Sequence, residues 1–185
     1  MKLYRLHRKQ NLPITIDEAW DLLSDPNNLK KLSPKEMSFD VLSGADRKTY
    51  AGQVIVYAVT PMLGIRTKWV TEITFVEDKH YFVDEQRFGP YAFWHHKHFI
   101  KEIPGGVEME DIVDYKMPLG WLGQLVHPFL VAPKIESIFD YRRSTLESMY
   151  GVYTAPALNS TYNPQIKAPG PAQTRGGAHK HEILN

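Results

Sequence analysis

The sequence predicts an α+β domain: a curved antiparallel sheet of about seven strands, two short helices after the first strand, and a long C-terminal helix. Three observations carry this expectation. Six segments between residues 36 and 117 have strand-like length and patterning and are bounded by turn residues. The connections between them are short, so successive strands pair as antiparallel hairpins. Beyond Leu119 the period changes, and Ile135, Ile138, Phe139, Leu146 and Met149 recur at helical spacing.

Residues 2–10 alternate, with Leu3, Arg5 and His7 on one side and Tyr4, Leu6 and Arg8 on the other, as a strand requires. Thr15-Ile16-Asp17-Glu18 reads as a capping box for a short helix whose apolar face is Ile16, Ala19, Trp20 and Leu23. Asp25-Pro26 places a second N-cap and a first-turn proline, with Leu29 and Leu32 buried and Ser33-Pro34 as the stop. Strands follow at 36–43, 52–60, 66–76, 80–88, 91–103 and 107–117, the last two joined by a Gly105-Gly106 hairpin turn. Residues 119–130 are apolar but carry Gly120, Gly123 and Pro128, which suits a short helix or a lid-like loop, with Trp121 as a gate. The long helix runs from about Pro133 to Tyr150. Residues 1–150 make one domain. Residues 151–185, rich in Pro and Gly and without periodicity, read as a flexible tail.

The chain has 185 residues, enough for one ordinary core. Its net charge of +1 gives no field that would draw nucleic acid or an acidic membrane. It has no cysteine, which excludes disulfides, thiolate metal sites and a cysteine nucleophile. No stretch approaches the ~20 apolar residues of a membrane span, and residues 1–8 lack the apolar run of a signal peptide. A cytoplasmic protein is expected. No phosphate-cradling Gly-rich loop or nucleophile elbow appears, and no cofactor is expected.

Phe82-x-Asp84-x-Gln86-x-x-Gly89-Pro90-Tyr91-x-x-Trp94-x-His96-x-His98, Met109-x-Asp111-x-Val113-x-Tyr115-x-x-Pro118 and Ile138-Phe139-Asp140-Tyr141-Arg142-Arg143 resemble the SRPBCC (Bet v 1/START-like) superfamily. Within it they are most similar to the bacterial polyketide-cyclase-like or "cell division inhibitor"-like branch. The resemblance covers roughly residues 2–150. It implies the helix-grip fold and a hydrophobic or amphipathic ligand held in a cavity between sheet and helix. It implies no particular reaction, since the fold hosts carriers, receptors, cyclases and hydrolases.

Strand parity selects the candidate site. Trp94, His96, His98 and Ile100 share one face, while His95, Lys97 and Lys101 face away. Phe82, Asp84 and Gln86 share a face of the preceding strand, and Met109, Asp111, Val113 and Tyr115 of the following one. If these sets point inward, the cavity floor holds two carboxylates, two imidazoles, an amide and a phenol. Arg142 on the helix stripe, with Trp69, Phe129 and Phe139, completes the expected ligand contacts. A further group of aromatics, including Phe75, is expected to line the pocket or the core. His96, His98, Asp84 and Asp111 are the candidates for acid–base chemistry, because a carboxylate beside an imidazole lets the pair move a proton near neutral pH. The competing reading is that these groups only satisfy one another across the sheet. His96 and His98 with Asp84 or Asp111 also have the donor types of a zinc or non-haem iron site, although no metal is assigned from the sequence. The expected function is carriage or sensing of a lipid, isoprenoid or polyketide-like molecule. The alternatives are a cyclase or dehydratase using the same cavity, and an adaptor that docks a partner protein through its tail or helix surface.

Overall fold

The computed structural model describes residues 2–61 and 64–156. The flexible-tail expectation, with His179 and His181, falls outside the described residues from 157 onward.

Strand β1 (Tyr4–Leu12) leads into helix α1 (Ile16–Leu23) and two single-turn 3₁₀ segments, Pro26–Lys30 and Lys35–Met37. Strands β2 (Asp40–Ser43), β3 (Val54–Val59), β4 (Thr67–Glu77), β5 (Tyr81–Phe88), β6 (Phe93–Ile103) and β7 (Gly106–Lys116) follow. Helix α2 (Gly120–Val126), one π-helical turn (His127–Val131) and α3 (Ala132–Tyr150) close the order. The Thr15–Glu18 capping box forms as expected. The second short helix is a 3₁₀ turn, its amide at Asn27 capped by the Asp25 carboxylate. The expected strand 36–43 shrinks to its last four residues, because Lys35–Met37 winds into the other 3₁₀ turn and Ser38 takes a left-handed conformation (φ 45°).

All seven strands form one antiparallel sheet in the order β1-β7-β6-β5-β4-β3-β2. Successive strands from β2 onward pair as hairpins. β1 instead pairs along its whole length with β7, from Tyr4↔Tyr115 to Leu12↔Val107. Register irregularities interrupt the β2–β3 and β4–β5 pairings, and bulges of this kind bend and coil a sheet. At the β6–β7 turn Gly105 has φ 81°, and a Cβ on Gly106 would lie 2.0 Å from the Leu12 carbonyl oxygen. Both glycines are therefore required by the backbone.

The concave face packs on α1 and α3. Leu12, Ile55, Val59, Val107 and Val113 from the sheet and Val131, Ile135 and Leu146 from the helical segment are the largest fully buried apolar side chains among the described residues. Among the described residues no helix is long and apolar enough to cross a membrane.

The 119–130 segment is helical rather than a loop. Pro128 and Pro133 both lack an amide hydrogen, and the helix widens to a π turn between α2 and α3, with the Ala132 amide bonded to the His127 carbonyl. This turn directs His127 and Val131 inward and leaves the other side chains out. Phe129 is 77% exposed and Trp121 72%. The expectation that Phe129 contacts ligand and Trp121 gates the cavity is therefore corrected: neither lines the hollow. Phe129→Ser is expected to change unfolding free energy by no more than about 0.5 kcal/mol, as at other surface sites. Urea denaturation checks this, and a loss of a core-sized increment contradicts the outward placement.

Candidate functional site

Between the sheet and α3 lies a hollow of about 160 Å³. Its walls are largely apolar. Trp69 and Ile73 come from β4, Ile55 and Tyr57 from β3, Leu29 from the first 3₁₀ turn, and Ile135, Ile138 and Phe139 from α3. Trp69, Tyr91 and Trp94 pack edge-on or tilted against one another, with ring centroids 4.8–5.6 Å apart. Such contacts fix one wall.

Besides Asp25, Ser33 and Thr49, the hollow carries a cluster of charged and polar side chains on its sheet side. In the sheet Asp84 lies opposite His96, and His98 lies opposite Asp111. The hydrogen bonds run along the diagonals. His98 Nε2 is 2.9 Å from Asp84 Oδ1, and His96 Nε2 is 3.0 Å from Asp111 Oδ1. The two imidazole rings are 3.7 Å apart, and Phe82 stacks on His98 at 4.3 Å. Arg142 reaches down from α3 and donates from Nη1 to Asp111 Oδ1 at 3.2 Å. Thr71 donates its hydroxyl toward Asp84 Oδ2 (3.4 Å) and to the Glu85 carbonyl (3.1 Å). His98 Nδ1 also sits 2.8 Å from Asp111 Oδ1, but at an angle that makes no hydrogen bond. That contact is one of charge.

The surroundings set the charges. Burial pushes the Asp111 carboxyl upward, but the Arg142 guanidinium and the two imidazoles hold it well below the usual range. Asp84 is also held low against its burial, by hydrogen bonding from His98 and by both rings. The imidazoles diverge. Burial disfavours the charged form of each, yet His98, with both nitrogens close to a carboxylate oxygen, is raised above the ordinary histidine value. His96 is lowered by burial and by the neighbouring His98 charge. The general expectation that a carboxylate raises its histidine thus holds for only one of the pair. Of the two rings, His98 is therefore the one whose charged form the carboxylates favour, and His96 the one whose neutral form burial favours.

No family model matches the sequence, and no curated protein matches it. Solved structures do. A START superfamily protein from Mycobacterium smegmatis superposes with TM-score 0.58 at 10% identity over 78% of this chain and 98% of that one. A point mutant of Thalictrum flavum norcoclaurine synthase, solved with a transition-state analogue, gives 0.57 at 11% over 80% and 96%. Ara h 8.0201 gives 0.52 at 13% over 80% and 99%. The chain has the Bet v 1/START helix-grip fold. The resemblance read from the Phe82–His98 and Met109–Pro118 motifs implied this fold.

The helix-grip hollow receives Trp69, Phe82, Asp84, Trp94, His96, His98, Phe139 and Arg142 of the expected contacts. Asp111 lies one layer behind, holding the two histidines and Arg142. Two more expected contacts are corrected. The amide of Gln86 is spent on the β5–β6 loop: it donates to the Tyr91 carbonyl at 2.6 Å and accepts from the Tyr91 amide at 3.2 Å. The Tyr115 hydroxyl bonds His127 at 2.7 Å, away from the hollow. Phe75 is turned outward, because the register shifts between Ile73 and Phe75, and it stacks on Tyr81 instead. Sequence reasoning missed Thr71, Tyr91 and Leu29 as lining residues. Thr71 shares parity with Trp69, so its place was readable. Tyr91 lies in a loop, which no periodicity describes.

His127 makes a second buried histidine site. It stacks on Tyr4 (3.5 Å, 14°) and accepts from Tyr115 while neutral. Burial first, and the Lys2 charge second, lower its pKa. The folded state therefore binds fewer protons here than the unfolded chain, so this site destabilises the fold as pH drops below about 6.5. His127→Gln removes that proton-linked loss. Between about pH 7 and pH 5 the variant is expected to lose less unfolding free energy than the parent, as read by urea denaturation at both pH values. An equal loss contradicts the assignment.

Proposed function

We propose that this chain binds a compact hydrophobic or amphipathic small molecule, of lipid, isoprenoid or polyketide-like character, as a carrier or sensor. The observation that carries this reading is a largely apolar hollow with a buried cluster of carboxylates, imidazoles and one guanidinium at its floor. Ligand pockets commonly combine apolar walls with a few convergent polar groups that fix orientation. The volume is of the order of an engineered apolar cavity that takes up benzene, which favours a one- or two-ring or short branched skeleton. Such a body would contact Ile55, Ile73, Trp69 and Ile135. Its hydroxyl, carbonyl or carboxyl end would meet His96, His98 or Arg142.

Protein purified from its native host and extracted for mass spectrometry tests the reading. A single co-purified class of amphipathic molecule is expected, depleted in His96→Ala and His98→Ala. Recovery of no small molecule, or of the same molecules from a variant with the hollow filled, contradicts it.

A second reading, a cyclase- or dehydratase-type enzyme, has its own observation: two imidazoles stand 3.7 Å apart in the cavity floor with their pKa values pushed in opposite directions. A neutral His96 would take a proton from carbon while a protonated His98 gave one to a departing hydroxyl. The norcoclaurine synthase of the same fold, solved with a transition-state analogue, adds weight to it. Turnover of the recovered molecule by the parent, with ligand retained but turnover lost in His96→Ala, separates enzyme from carrier.

A further inference from the structure

We infer that Asp84, His96 and His98 form a mononuclear site for a divalent transition-metal ion that opens into the hollow. Each imidazole has one nitrogen on the Asp111 side and the other on the Asp84 side. Toward Asp84, His98 Nε2 and His96 Nδ1 lie 2.9 and 3.5 Å from Oδ1. The three donor atoms are all within 4.8 Å of one another. Donors bound at about 2.0–2.1 Å to one ion stand roughly 3–3.5 Å apart, close to the two separations from Asp84 Oδ1.

The charges decide which carboxylate takes the metal. Asp111 offers an equally short approach to both rings, but Arg142 already occupies its Oδ1 at 3.2 Å, and a second cation there is repelled. Asp84 meets the two imidazoles and the Thr71 hydroxyl. Asp111 then has the role of the outer carboxylate that orients metal-bound histidines. It lies 3.0 Å from His96 Nε2 and 2.8 Å from His98 Nδ1, the two nitrogens turned away from the proposed ion. The unpartnered His98 Nδ1 gains an aligned hydrogen bond if the ring turns to bind metal. The ion takes the place of the proton between His98 Nε2 and Asp84, releasing it to solvent, and two imidazole nitrogens with one carboxylate suit Zn²⁺ or Fe²⁺ and disfavour Mg²⁺, which prefers an all-oxygen shell. The same donors face the hollow, so the remaining coordination positions are open to water or to the polar end of a ligand. The inference stands without the small-molecule reading, since it is tested with the ion alone.

The full chain, stripped with chelator, is titrated with Zn²⁺ by calorimetry and with Co²⁺ by visible absorption. Saturation at one ion per chain is expected, with a raised melting temperature because the ion binds the native state, and no response to Mg²⁺. Asp84→Asn and His98→Ala should abolish saturable binding. Asp111→Asn should weaken it about 10- to 100-fold at unchanged stoichiometry, the mark of an outer carboxylate. His179→Ala/His181→Ala should bind as the parent does. Absence of one-to-one binding by the folded parent at millimolar Zn²⁺ overturns the inference whatever the variants do. So does binding that survives in folded His98→Ala, or that disappears with the two tail histidines.

Discussion

Arg142→Met is expected to lower the unfolding free energy by about 3 kcal/mol, toward the lower end of the range for breaking a buried ion pair from one side. Arg142 and Asp111 are 11% and 13% exposed, so water does little to replace the lost partner. The two imidazoles still face Asp111, which is why the upper end is not expected. Methionine keeps an unbranched apolar stem and removes the guanidinium, including its place 5.9 Å over the Phe139 ring, so the measured loss reports charge more than packing. The pH dependence gives a second check. The parent's Asp111 is held below its unfolded value, so its contribution is present above about pH 4 and is lost as pH falls through the depressed folded pKa. Without Arg142 the buried carboxyl takes a proton more readily, and protonation relieves the penalty. The gap between parent and variant should therefore narrow with acidification. Urea denaturation at several pH values reads both effects. A difference under a few tenths of a kcal/mol at neutral pH would show that the guanidinium does not hold Asp111.

The second large effect is on binding. Leu29 lines the hollow from a half-buried position on a 3₁₀ turn. Leu29→Trp places an indole where the ligand body is proposed to lie. A ring excluded from such walls forfeits about 1.5–3 kcal/mol of apolar burial, which is roughly a 10- to 100-fold loss of affinity. 2-Naphthol, an apolar two-ring body with one hydroxyl, serves as the probe. The parent should bind it saturably and the variant should not at the same concentrations, while the variant's melting temperature is unchanged or higher because a void is filled. Equal affinities would place the probe elsewhere.

Much of the fold was legible because the strands here are one-sided. Trp69, Phe82, His96, His98 and Met109 each sit on the buried side that alternation assigns them. The parity argument survived wherever pairing stayed regular. It failed at Phe75, where a shift of register past Ile73 exchanged the two faces, and nothing in the local composition marks that shift. Gln86 has the right parity but lies beyond the last β5–β6 pair at Glu85↔His95, where side chains serve the turn. The pairing of β1 with β7 is a long-range closure that hairpin logic does not reach. The 119–130 segment misled through composition. Its apolar side chains suggested a short helix or lid with Phe129 against the ligand, whereas the π turn at Pro128 sends Phe129 and Leu130 to solvent.

The histidine–carboxylate cluster was legible as a list of residues but not as a circuit. Sequence parity brings Asp84, His96, His98 and Asp111 to one face. Only the structure shows that the bonds cross diagonally, that Arg142 reaches Asp111 rather than Asp84, and that the surroundings push the pKa values of the two imidazoles in opposite directions. Those three facts make the cluster a candidate for orienting a ligand, for moving a proton or for holding a metal ion.

Methyl-detected NMR of the full chain titrated with 2-naphthol tests the proposed binding most directly. Saturable shifts at the methyls of Ile55, Ile73, Ile135 and Ile138, accompanied by the ring resonances of His96 and His98, are the expected result. Shifts confined to Leu122, Leu125 and Leu130 on the exposed helical segment, with those isoleucines and histidines unmoved, would contradict a ligand site beneath α3.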